Sequence, residues 1–498
     1  MTTLASSAAT ALAEFVATPL DAALRGADDQ SAAEQQAVAL FQSVAAEVPA
    51  YRAFLAAHAI APDTIRTFED FSKLPFINKA NYHSQFPLRD LCRSGRLEAN
   101  DFVAVSSGST GQPTFWPRSI DDEYTIARRF EQAFYDSFRA DERRTLAVVC
   151  FALGTWVGGM FTASCCRHLA ARGYPLMVVS PGNNVGEILR VVQRLAPEFD
   201  QTVLLGYPPF LKDVIDDGIT ANVDWSAHHT RLVMAGEVFS EEWRSLVGQR
   251  MGSTDPCHDS VSLYGTADAG VLGNETPLSV SIRRYLASHP NHAHALFGES
   301  RLPTLVQYDP RSRFFEVQDG TLLFTGDNGI PLVRYHIADS GGLIPFAAMM
   351  DFLRQRGFDP AEGLGDRGVR PLPFAYVFGR ADFTISYFGA NVFPENVTVG
   401  LEQPPVSAWC TGKFVMQVRE DDDRNGYLSI VVELARDVLP DQQKAEIIAN
   451  SILDNVKRLN SEFAHYVPTD RQRPRVELAP LGDPAYFPTG VKHRYTRR

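Results

Sequence analysis

The sequence predicts an α/β fold, with a large N-terminal domain of mixed sheets layered with helices and a small α+β C-terminal domain. From about residue 100 to residue 340, short apolar runs alternate with amphipathic helical stretches, a pattern that favours parallel or mixed sheets covered by helices. After about residue 380 the pattern becomes hairpin, helix and strand. With 498 residues, 45% of them hydrophobic, the chain can bury the cores of two or more domains.

Six apolar runs are the predicted strands of the large domain: FVAVSS, TLAVVCF, PLMVVS, TVLLGYP, RLVMAGE and VSLYG. Amphipathic segments such as VGEILRVVQRLAPEF and SEEWRSLVGQR lie between them and predict helices. Residues 145–166 carry no charge and could span a bilayer, but three glycines interrupt them and their first half is a buried-strand run. We therefore expect a strand, a glycine-rich loop and the start of a buried helix there, and no membrane association.

The C-terminal part of the chain predicts a compact α+β unit of roughly one hundred residues. FVMQVRE and YLSIVVELA flank DDDRNG, whose Asn-Gly ending is typical of a hairpin turn. DQQKAEIIANSILDNVKRL then predicts an amphipathic helix, and RPRVELA predicts a strand. The junction lies within residues 378–394, which gives an N-terminal domain of residues 1–381 and a C-terminal domain of residues 382–498.

Composition limits the partners and the compartment. The formal net charge of −12 argues against nucleic acid and anionic lipid as partners. The six scattered cysteines form no CxxC pair, so we expect buried, reduced thiols in a cytoplasmic protein.

HPNHAHA lacks accompanying ligands, and we predict an ordinary loop there rather than a metal site. The N-terminal segment has no basic region and carries two acids, which predicts a short amphipathic helix rather than a secretory signal.

The densest run of small hydroxyl and glycine residues is SSGSTGQPT, residues 106–114. It matches neither the GxxxxGK[ST] phosphate loop nor the GxGxxG dinucleotide loop, and GxSxG is absent from the chain. The β-favouring residues TFWP follow it, so we expect a loop between two extended segments, with the next helix beginning at Ser119. Such a run is either a solvated turn or a cradle for a polyphosphate.

As a phosphate site, the loop would act through hydroxyls and exposed backbone N–H groups, without a cation. The candidate phosphate-binding residues are Ser106, Ser107, Gly108, Ser109, Thr110 and Gly111. Gln112 occupies the position where nucleotide loops often carry a lysine. No lysine occurs between Lys79 and Lys212, so no neighbouring residue in the sequence replaces it.

Five further motifs follow the loop in order: MAGEVFSEEWR, SLYGTADAG, TGDNGIPLVRYHIAD, FGRADFTISYFGANVFPENV and FPTGVKHR. Together with the loop they resemble the acyl-adenylate-forming superfamily of acyl-CoA synthetases, adenylation domains and luciferases, and most of all its phenylacetate-CoA ligase branch. Upstream, VPAYRAFLAAHAIAPDTIRTFEDFSKLPFINKANYHSQFP resembles the N-terminal region of that branch. The resemblance covers most of the chain from about residue 40 onwards.

The resemblance implies an enzyme with ATP, Mg²⁺ and coenzyme A as cofactors or cosubstrates. A carboxylate attacks the α-phosphate of ATP, giving an acyl-adenylate and pyrophosphate, and coenzyme A then takes the acyl group as a thioester. Because the attack brings an anion towards an anionic phosphate, the site must supply hydrogen-bond donors and cations. The loop would hold the β- and γ-phosphates, and the small domain would be mobile, swinging between the two half-reactions.

The resemblance also implies which residues bind the nucleotide: Gly236, Glu237, Tyr264, Gly265, Asp339 and Arg380. Tyr264 would stack on adenine, and Asp339 would accept hydrogen bonds from the ribose hydroxyls. Asp268 would lie near Mg²⁺, where the family usually has the longer glutamate; the alternative is an acid at the start of a helix. His336 replaces a family arginine, so that contact is lost or pH-dependent, or the histidine is a packed strand residue.

Three residues of the C-terminal region match further family positions. Asp382 matches the hinge, and Gly389 matches the glycine that leaves room for the pantetheine arm of coenzyme A. Lys492 matches the catalytic lysine that bridges the substrate carboxylate and the α-phosphate. The family spacing is Ser-Gly-Lys and this chain reads Gly-Val-Lys, so the glycine is displaced by one position. The alternative for Lys492 is a solvated basic tail.

The candidate acyl-pocket residues are Trp156, Met160, Tyr207 and Phe210, which favour an apolar or aromatic acid unless they are simply core. Residues 341–373 include the helical pattern FAAMMDFLRQRGF and would form a lid or specificity element. Two other functions remain open: adenylation with transfer to a carrier protein or an amine, and a binding homologue that has lost catalysis. A homodimer is compatible with the sequence.

Overall fold

The structure is a computed structural model, and it describes residues 2–106, 114–298, 302–380, 384–435, 437–487 and 495–496. The fold divides into two compact units. Unit 1 contains Met1–Val105, Phe115–Gly206 and Val214–Gly379, and unit 2 contains Ser106–Thr114, Tyr207–Asp213 and Arg380–Arg498. Two short internal segments thus group with the C-terminal residues. The domain boundary predicted between residues 381 and 382 stays a prediction.

Helices and strands alternate through most of the chain. The helices are α1 (Thr2–Ala17), α2 (Leu20–Ala23), α3 (Gln30–Glu47), α4 (Pro49–Ala57), α5 (Phe68–Ser72), α6 (Ile120–Gln132), α7 (Val157–Ala171), α8 (Val185–Leu195), α9 (Pro208–Thr220), α10 (Glu241–Met251), α11 (Pro277–Ser288), α12 (Pro290–Phe297), α13 (Phe346–Arg354), α14 (Pro394–Leu401), α15 (Gln442–Leu459) and α16 (Ser461–Tyr466). The strands are β1 (Phe102–Ser106), β2 (Thr114–Arg118), β3 (Thr145–Val149), β4 (Leu176–Val179), β5 (Gln201–Gly206), β6 (Thr230–Ala235), β7 (Ser260–Thr266), β8 (Gly270–Asn274), β9 (Thr304–Gln307), β10 (Phe314–Gln318), β11 (Thr321–Gly326), β12 (Leu332–Ile344), β13 (Phe374–Arg380), β14 (Ile385–Tyr387), β15 (Ala390–Val392), β16 (Cys410–Glu420), β17 (Gly426–Leu434) and β18 (Arg475–Ala479).

Among the described residues, eleven strands form one mixed sheet, in the order β10-β11-β12-β13-β9-β8-β7-β6-β5-β3-β4. The five strands β3 to β7 run parallel, and β7 and β8 form an antiparallel hairpin. The predicted fold class is confirmed. Parallel strands end at the same edge of a sheet, and ligands of such sheets bind outside the carboxyl ends of the strands. The residues that follow β6 and β7 are therefore at the edge where a ligand is expected.

Apolar side chains from distant parts of the chain fill the core of unit 1. In the largest cluster, Phe41 of α3 and Tyr51 of α4 belong with Phe324 of β11 and Tyr335 of β12. A second cluster joins α11, α12 and α13 with β9 and β13. The helical pattern predicted within residues 341–373 is α13, which is confirmed. The role of that segment as a lid or specificity element stays a prediction.

One local prediction was wrong. HPNHAHA is helix α12 rather than a loop. Pro290 occupies the first turn of the helix, where its missing N–H is not needed, and Gly298 ends it with a φ of 76°. His292 Nδ1 lies 2.9 Å from the hydroxyl of Tyr285 on α11. In the part of the chain that the structure describes, no group of three or more acidic, histidine or cysteine side chains could hold a metal ion.

The secondary structure predicted for residues 145–166 and for the N-terminal segment is confirmed. Residues 145–166 form β3, a loop and the first part of α7. No helix among the described residues is long and apolar enough to cross a membrane. All six cysteines are unpaired, and all but the half-buried Cys257 are buried. The N-terminal segment is helical, as expected, and α1 is longer than a short helix, with 16 residues.

Unit 2 contains the predicted hairpin, helix and strand. β16 pairs with β17 in an antiparallel hairpin, and β17 pairs in parallel with β18. In the hairpin turn, the side chain of Asp421 accepts hydrogen bonds from the backbone N–H groups of Asp423 and Asn425, at 3.0 Å and 2.9 Å. β14 and β15 form a second, shorter hairpin whose turn contains Gly389.

Candidate functional site

Asp268 lies in the turn between β7 and β8, at the carboxyl edge of the parallel strands. It does not begin a helix, so that alternative is wrong. The residue is only 7% exposed. The hydroxyl of Tyr335 donates to its Oδ2 at 2.5 Å, and Lys79 Nζ lies 3.5 Å from its Oδ1. A hydroxyl donor and an ammonium thus lie against the two oxygens of the carboxylate.

Lys79 reaches Asp268 because the segment before it pairs with β12. Ile77 donates its backbone N–H to the carbonyl of Arg334 at 3.1 Å and accepts from the N–H of His336 at 2.8 Å. Lys79 Nζ also lies 5.6 Å from the centre of the Trp116 ring, and 38% of its side chain is exposed. The sequence analysis missed this residue. The one signal in the sequence was the scarcity of lysine, since the chain has only seven.

A histidine completes this cluster. The His83 ring lies 4.3 Å from that of Trp116, and its Nε2 lies 3.0 Å from the carbonyl of Phe115, in β2. Burial lowers the pKa of His83, Lys79 lowers it further, and the Phe115 carbonyl and Asp268 oppose the shift. The neutral imidazole is therefore favoured near neutral pH. The fixed positive charge beside Asp268 comes from Lys79.

Two of the predicted nucleotide-binding residues touch one another. The hydroxyl of Tyr264, in β7, donates to Oδ2 of Asp339, in β12, at 2.7 Å, and both residues are buried. The register of β6 and β7 pairs Ala235 with Leu263. Gly236 and Tyr264 therefore follow side by side at the carboxyl edge, where Gly236 has a φ of 89°. Their residue types and position suit a nucleoside, with an aromatic ring for the base and a carboxylate for the diol.

Two further predicted residues, Glu237 and Gly265, lie on the same edge. Glu237 is half-buried directly after Gly236. Gly265 is exposed in the hairpin, where a Cβ would stand 2.4 Å from the carbonyl oxygen of Gly270. The hairpin that carries Asp268 therefore closes only around a residue without a side chain at position 265.

Comparisons with known proteins point to one superfamily. No family model matches the chain. The phenylacetate-coenzyme A ligase of Aromatoleum evansii is 23% identical over 397 residues, covering 78% of this chain and 77% of that protein. The phenylacetate-coenzyme A ligase of Escherichia coli K12 is 21% identical over 358 residues, covering 70% of each. The chain is thus similar, over 70% or more of its length, to phenylacetate-CoA ligases of the acyl-adenylate-forming superfamily.

A solved structure has the same fold as this chain along almost its whole length. A 2-hydroxyisobutyryl-CoA ligase in complex with 2-HIB-AMP and CoA, in the thioesterification state, covers 95% of this chain. The match covers 90% of that chain, with a TM-score of 0.64 at 16% identity. Its open conformation gives a TM-score of 0.52 at the same identity. These likenesses extend the fold match through the C-terminal region.

Several predicted site residues lie outside the described residues: Ser107, Gly108, Ser109, Thr110, Gly111, Asp382 and Lys492, as does Gln112. Ser106 is the buried last residue of β1. Arg380 ends β13, and only its backbone is described. β1 and β2 form a two-stranded sheet, so the prediction that the loop joins two extended segments is confirmed. The roles of these residues stay predictions.

The four candidate acyl-pocket residues divide between the units. In unit 1, Trp156 is buried and forms a backbone bridge with Val105, whereas Met160 on α7 is 44% exposed. In unit 2, Tyr207 and Phe210 are both buried. The burial of these side chains does not distinguish a core residue from a residue of the acyl pocket. Their role therefore stays a prediction.

Gly389 and Tyr207 lie in contact within unit 2. Gly389 has a φ of 82°, and a Cβ built on it would stand 2.1 Å from the Tyr207 ring. The ring of Tyr207 in turn lies 5.3 Å from that of Tyr466. The predicted coenzyme A channel residue is therefore next to a predicted acyl-pocket residue. Position 389 needs glycine for its backbone conformation and for its space.

His336 is a packed residue of β12 in this structure. Its Nε2 lies 2.9 Å from the hydroxyl of Thr321, and its ring lies 5.1 Å from that of Phe76. The packed-strand interpretation of the sequence therefore fits. The same motif contains one arginine, Arg334, and its guanidinium binds Glu316 at 3.0 Å. Arg334 is thus engaged elsewhere and does not take over the charge of the family arginine at position 336.

Proposed function

We propose that this protein is an AMP-forming acid–CoA ligase, which activates a carboxylic acid as an acyl-adenylate and transfers the acyl group to coenzyme A. The observation that carries the proposal is the contact between Tyr264 and Asp339 beside the Asp268 turn, in a chain of this superfamily. The side chains that we propose for base, ribose and metal binding share the carboxyl edge of unit 1. Both curated relatives carry the name phenylacetate-coenzyme A ligase.

In the proposed nucleotide site, Tyr264 and Asp339 act as a pair. A carboxylate offers about four lone-pair positions, so Asp339 can accept from ribose hydroxyls while it keeps the hydrogen bond from Tyr264. That bond in turn fixes the hydroxyl end of the tyrosine ring against which adenine would stack. Gly236, Glu237 and Gly265 would border the base. The two glycines leave space for it, since a side chain at either position would narrow the space beside the tyrosine ring.

The residues around Asp268 fit a magnesium ion. Mg²⁺ prefers oxygen ligands, and one or two carboxylates together with phosphates are its usual set. Asp268 would supply the carboxylate. Asn328 lies beside it, donating from Nδ2 to the Asp268 carbonyl at 3.4 Å, and its buried Oδ1 has no hydrogen-bond partner among the described residues. Bound Mg²⁺ would neutralise phosphate charge during attack at the α-phosphate.

Lys79 would supply the cation that the glycine loop lacks. Its ammonium is partly exposed and 3.5 Å from the proposed metal-binding carboxylate. A triphosphate bound near Asp268 would come within reach of that ammonium, which can donate three hydrogen bonds. Ser106, Ser107, Gly108, Ser109, Thr110 and Gly111 would hold the β- and γ-phosphates from the loop. Gln112 would then add no charge.

For the acyl group we propose an apolar or aromatic acid. Trp156, Met160, Tyr207 and Phe210 supply apolar surface, and the curated relatives are ligases of phenylacetate by name. In the C-terminal region, Lys492 would bridge the substrate carboxylate and the α-phosphate. Arg380 would contact ribose or phosphate, Asp382 would be the hinge, and Gly389 would border the pantetheine arm.

Exchange of labelled pyrophosphate into ATP, measured with a panel of carboxylic acids and Mg²⁺, tests this function. We expect exchange with aryl or medium-length apolar acids, and AMP-linked consumption of coenzyme A when it is added. Exchange with none of the acids would refute the enzyme function and favour a binding homologue. Exchange without consumption of coenzyme A would instead favour a carrier protein or an amine as acceptor.

A further inference from the structure

Arg118 is a buried arginine next to the turn that carries Asp268. It is the last residue of β2, the strand that leaves the glycine loop, and only 1% of its side chain is exposed. Its Nη2 donates to the carbonyl oxygen of Ala267 at 2.6 Å. Its Nη1 donates to Oδ2 of Asp122 at 2.9 Å. The guanidinium therefore grips the peptide group that immediately precedes Asp268.

The charge of Arg118 is balanced within a buried network. Asp122 lies in the first turn of α6 and is fully enclosed. Its second oxygen, Oδ1, accepts from Nη2 of Arg313 at 2.7 Å. Burial lowers the pKa of Arg313 and Asp122 opposes that shift. Removing one member of such a network leaves an unpaired buried charge. Through these contacts the network links β2, α6 and the start of β10 to the turn.

The backbone next to this network is closely packed. A Cβ added at Gly270, the first residue of β8, would stand 2.3 Å from the side chain of Ile126 on α6. A Cβ added at Gly329 would stand 2.2 Å from the carbonyl oxygen of Pro117, the residue before Arg118. Asn328, beside Gly329, donates to the Asp268 carbonyl. The Asp268 turn is thus clamped between β2 and the loop of Asn328.

We propose that Arg118 is a positioning residue, which sets the Asp268 carboxylate for the metal–nucleotide complex by holding the peptide between Ala267 and Asp268. It acts through the main chain, since its guanidinium binds the Ala267 carbonyl and Asp122. Because β2 leaves the glycine loop, the same side chain ties the loop's exit strand to the acid-bearing turn. This inference rests on the proposed function, in which Asp268 binds Mg²⁺.

Arg118→Lys is the test variant. Lysine keeps the charge, but a single ammonium cannot reproduce the fork that serves the Ala267 carbonyl and Asp122 together. The matched control is Arg244→Lys. Arg244 is equally buried and binds Glu275 at 2.7 Å and the Ser260 hydroxyl at 2.7 Å, at the opposite end of β7 from Asp268. Both variants lose a buried fork, but only Arg118 adjoins the proposed metal site.

Two measurements are compared across wild type, Arg118→Lys and Arg244→Lys. The first is the affinity for a non-hydrolysable ATP analogue at a series of Mg²⁺ concentrations, by titration calorimetry. The second is the Mg²⁺ concentration that half-activates pyrophosphate exchange. Since a hydrogen bond to a charged group is at stake, we expect Arg118→Lys to raise the Mg²⁺ requirement about tenfold or more in both. Arg244→Lys should lower the melting temperature without changing that requirement.

The outcomes separate this inference from the proposed function. Suppose that wild type binds the analogue with Mg²⁺ and that both variants need the same Mg²⁺ concentration as wild type. Arg118 is then merely structural, and the inference is overturned. An equal rise of the requirement in the two variants overturns it as well. If Arg118→Lys does not fold, Asp122→Asn replaces it, and an unchanged Mg²⁺ requirement there overturns the inference. If wild type binds no analogue at any Mg²⁺ concentration, the proposed function and the inference fall together.

Discussion

Replacing Lys79 by methionine separates a role in holding Asp268 from a role in binding phosphate. At 3.5 Å the Coulomb attraction between Lys79 Nζ and Asp268 Oδ1 would be about 5 kcal/mol at an effective dielectric constant of 20. With 38% of the lysine side chain exposed, solvent screening and side-chain entropy reduce the net value to about 1 kcal/mol or less. Tyr335 still holds the carboxylate in the variant. The folded state should therefore lose little stability.

The effect on ATP should be much larger than the effect on stability. Charge-assisted hydrogen bonds to phosphate contribute about 1.5–3 kcal/mol each, so we expect the KM for ATP in pyrophosphate exchange to rise about 10- to 100-fold. Lys79→Arg should recover part of that loss, because it restores the charge. Higher ionic strength should weaken ATP binding by wild type more than by Lys79→Met.

The chain provides a matched control on the same N-terminal segment. Lys73 is 67% exposed and pairs at 2.8 Å with Glu69, one helical turn earlier. Lys73→Met removes the same charge from the protein without touching the Asp268 cluster. An equal KM for ATP in Lys73→Met and Lys79→Met would refute a local role for Lys79. A melting temperature reduced by many degrees in Lys79→Met alone would show that its role is structural.

Three further variants test other parts of the proposed site. Gly389→Ala should slow thioester formation about tenfold or more while sparing adenylation, because a left-handed alanine costs about 1–2 kcal/mol and its Cβ meets Tyr207. Single-turnover assays of each half-reaction check this, and equal rates of thioester formation in variant and wild type would contradict it. Tyr264→Phe keeps the ring but loses the bond to Asp339, so the KM for ATP should rise about tenfold, as initial rates will show. Lys492→Ala should abolish adenylate formation yet largely spare thioester formation from added acyl-adenylate; survival of both half-reactions would show that Lys492 is a solvated tail.

Local patterns predicted most of the fold. The Asn-Gly ending of DDDRNG marked the turn between β16 and β17, and the six apolar runs of the large domain are β1 and β3 to β7. HPNHAHA was misjudged because the absence of metal ligands says nothing about backbone conformation. The signals for α12 were present in the sequence as Pro290 and Gly298. Secondary structure of this kind depends on residues close in sequence.

The candidate site was only partly predictable. Tyr264, Asp268 and Asp339 followed from motifs, and the structure places them on one edge of unit 1. Lys79 and Arg118 did not follow, because each reaches the Asp268 turn through pairing between distant segments. Lys79 depends on the pairing of Ile77 with β12. No local pattern in the sequence reveals which of seven lysines or which buried arginine lies beside an acid.

The aspartate at position 268 shows how the fold determines the reach of a short side chain. The family usually has glutamate there, and aspartate is one methylene shorter, so the backbone of the turn must stand closer to any metal that it binds. Three contacts place that backbone: Arg118 on the Ala267 carbonyl, Asn328 on the Asp268 carbonyl, and the Gly265 hairpin that closes beneath them. A flexible turn would let the short carboxylate drift out of range. The contacts of this turn hold the carboxylate where Tyr335 and Lys79 meet its two oxygens.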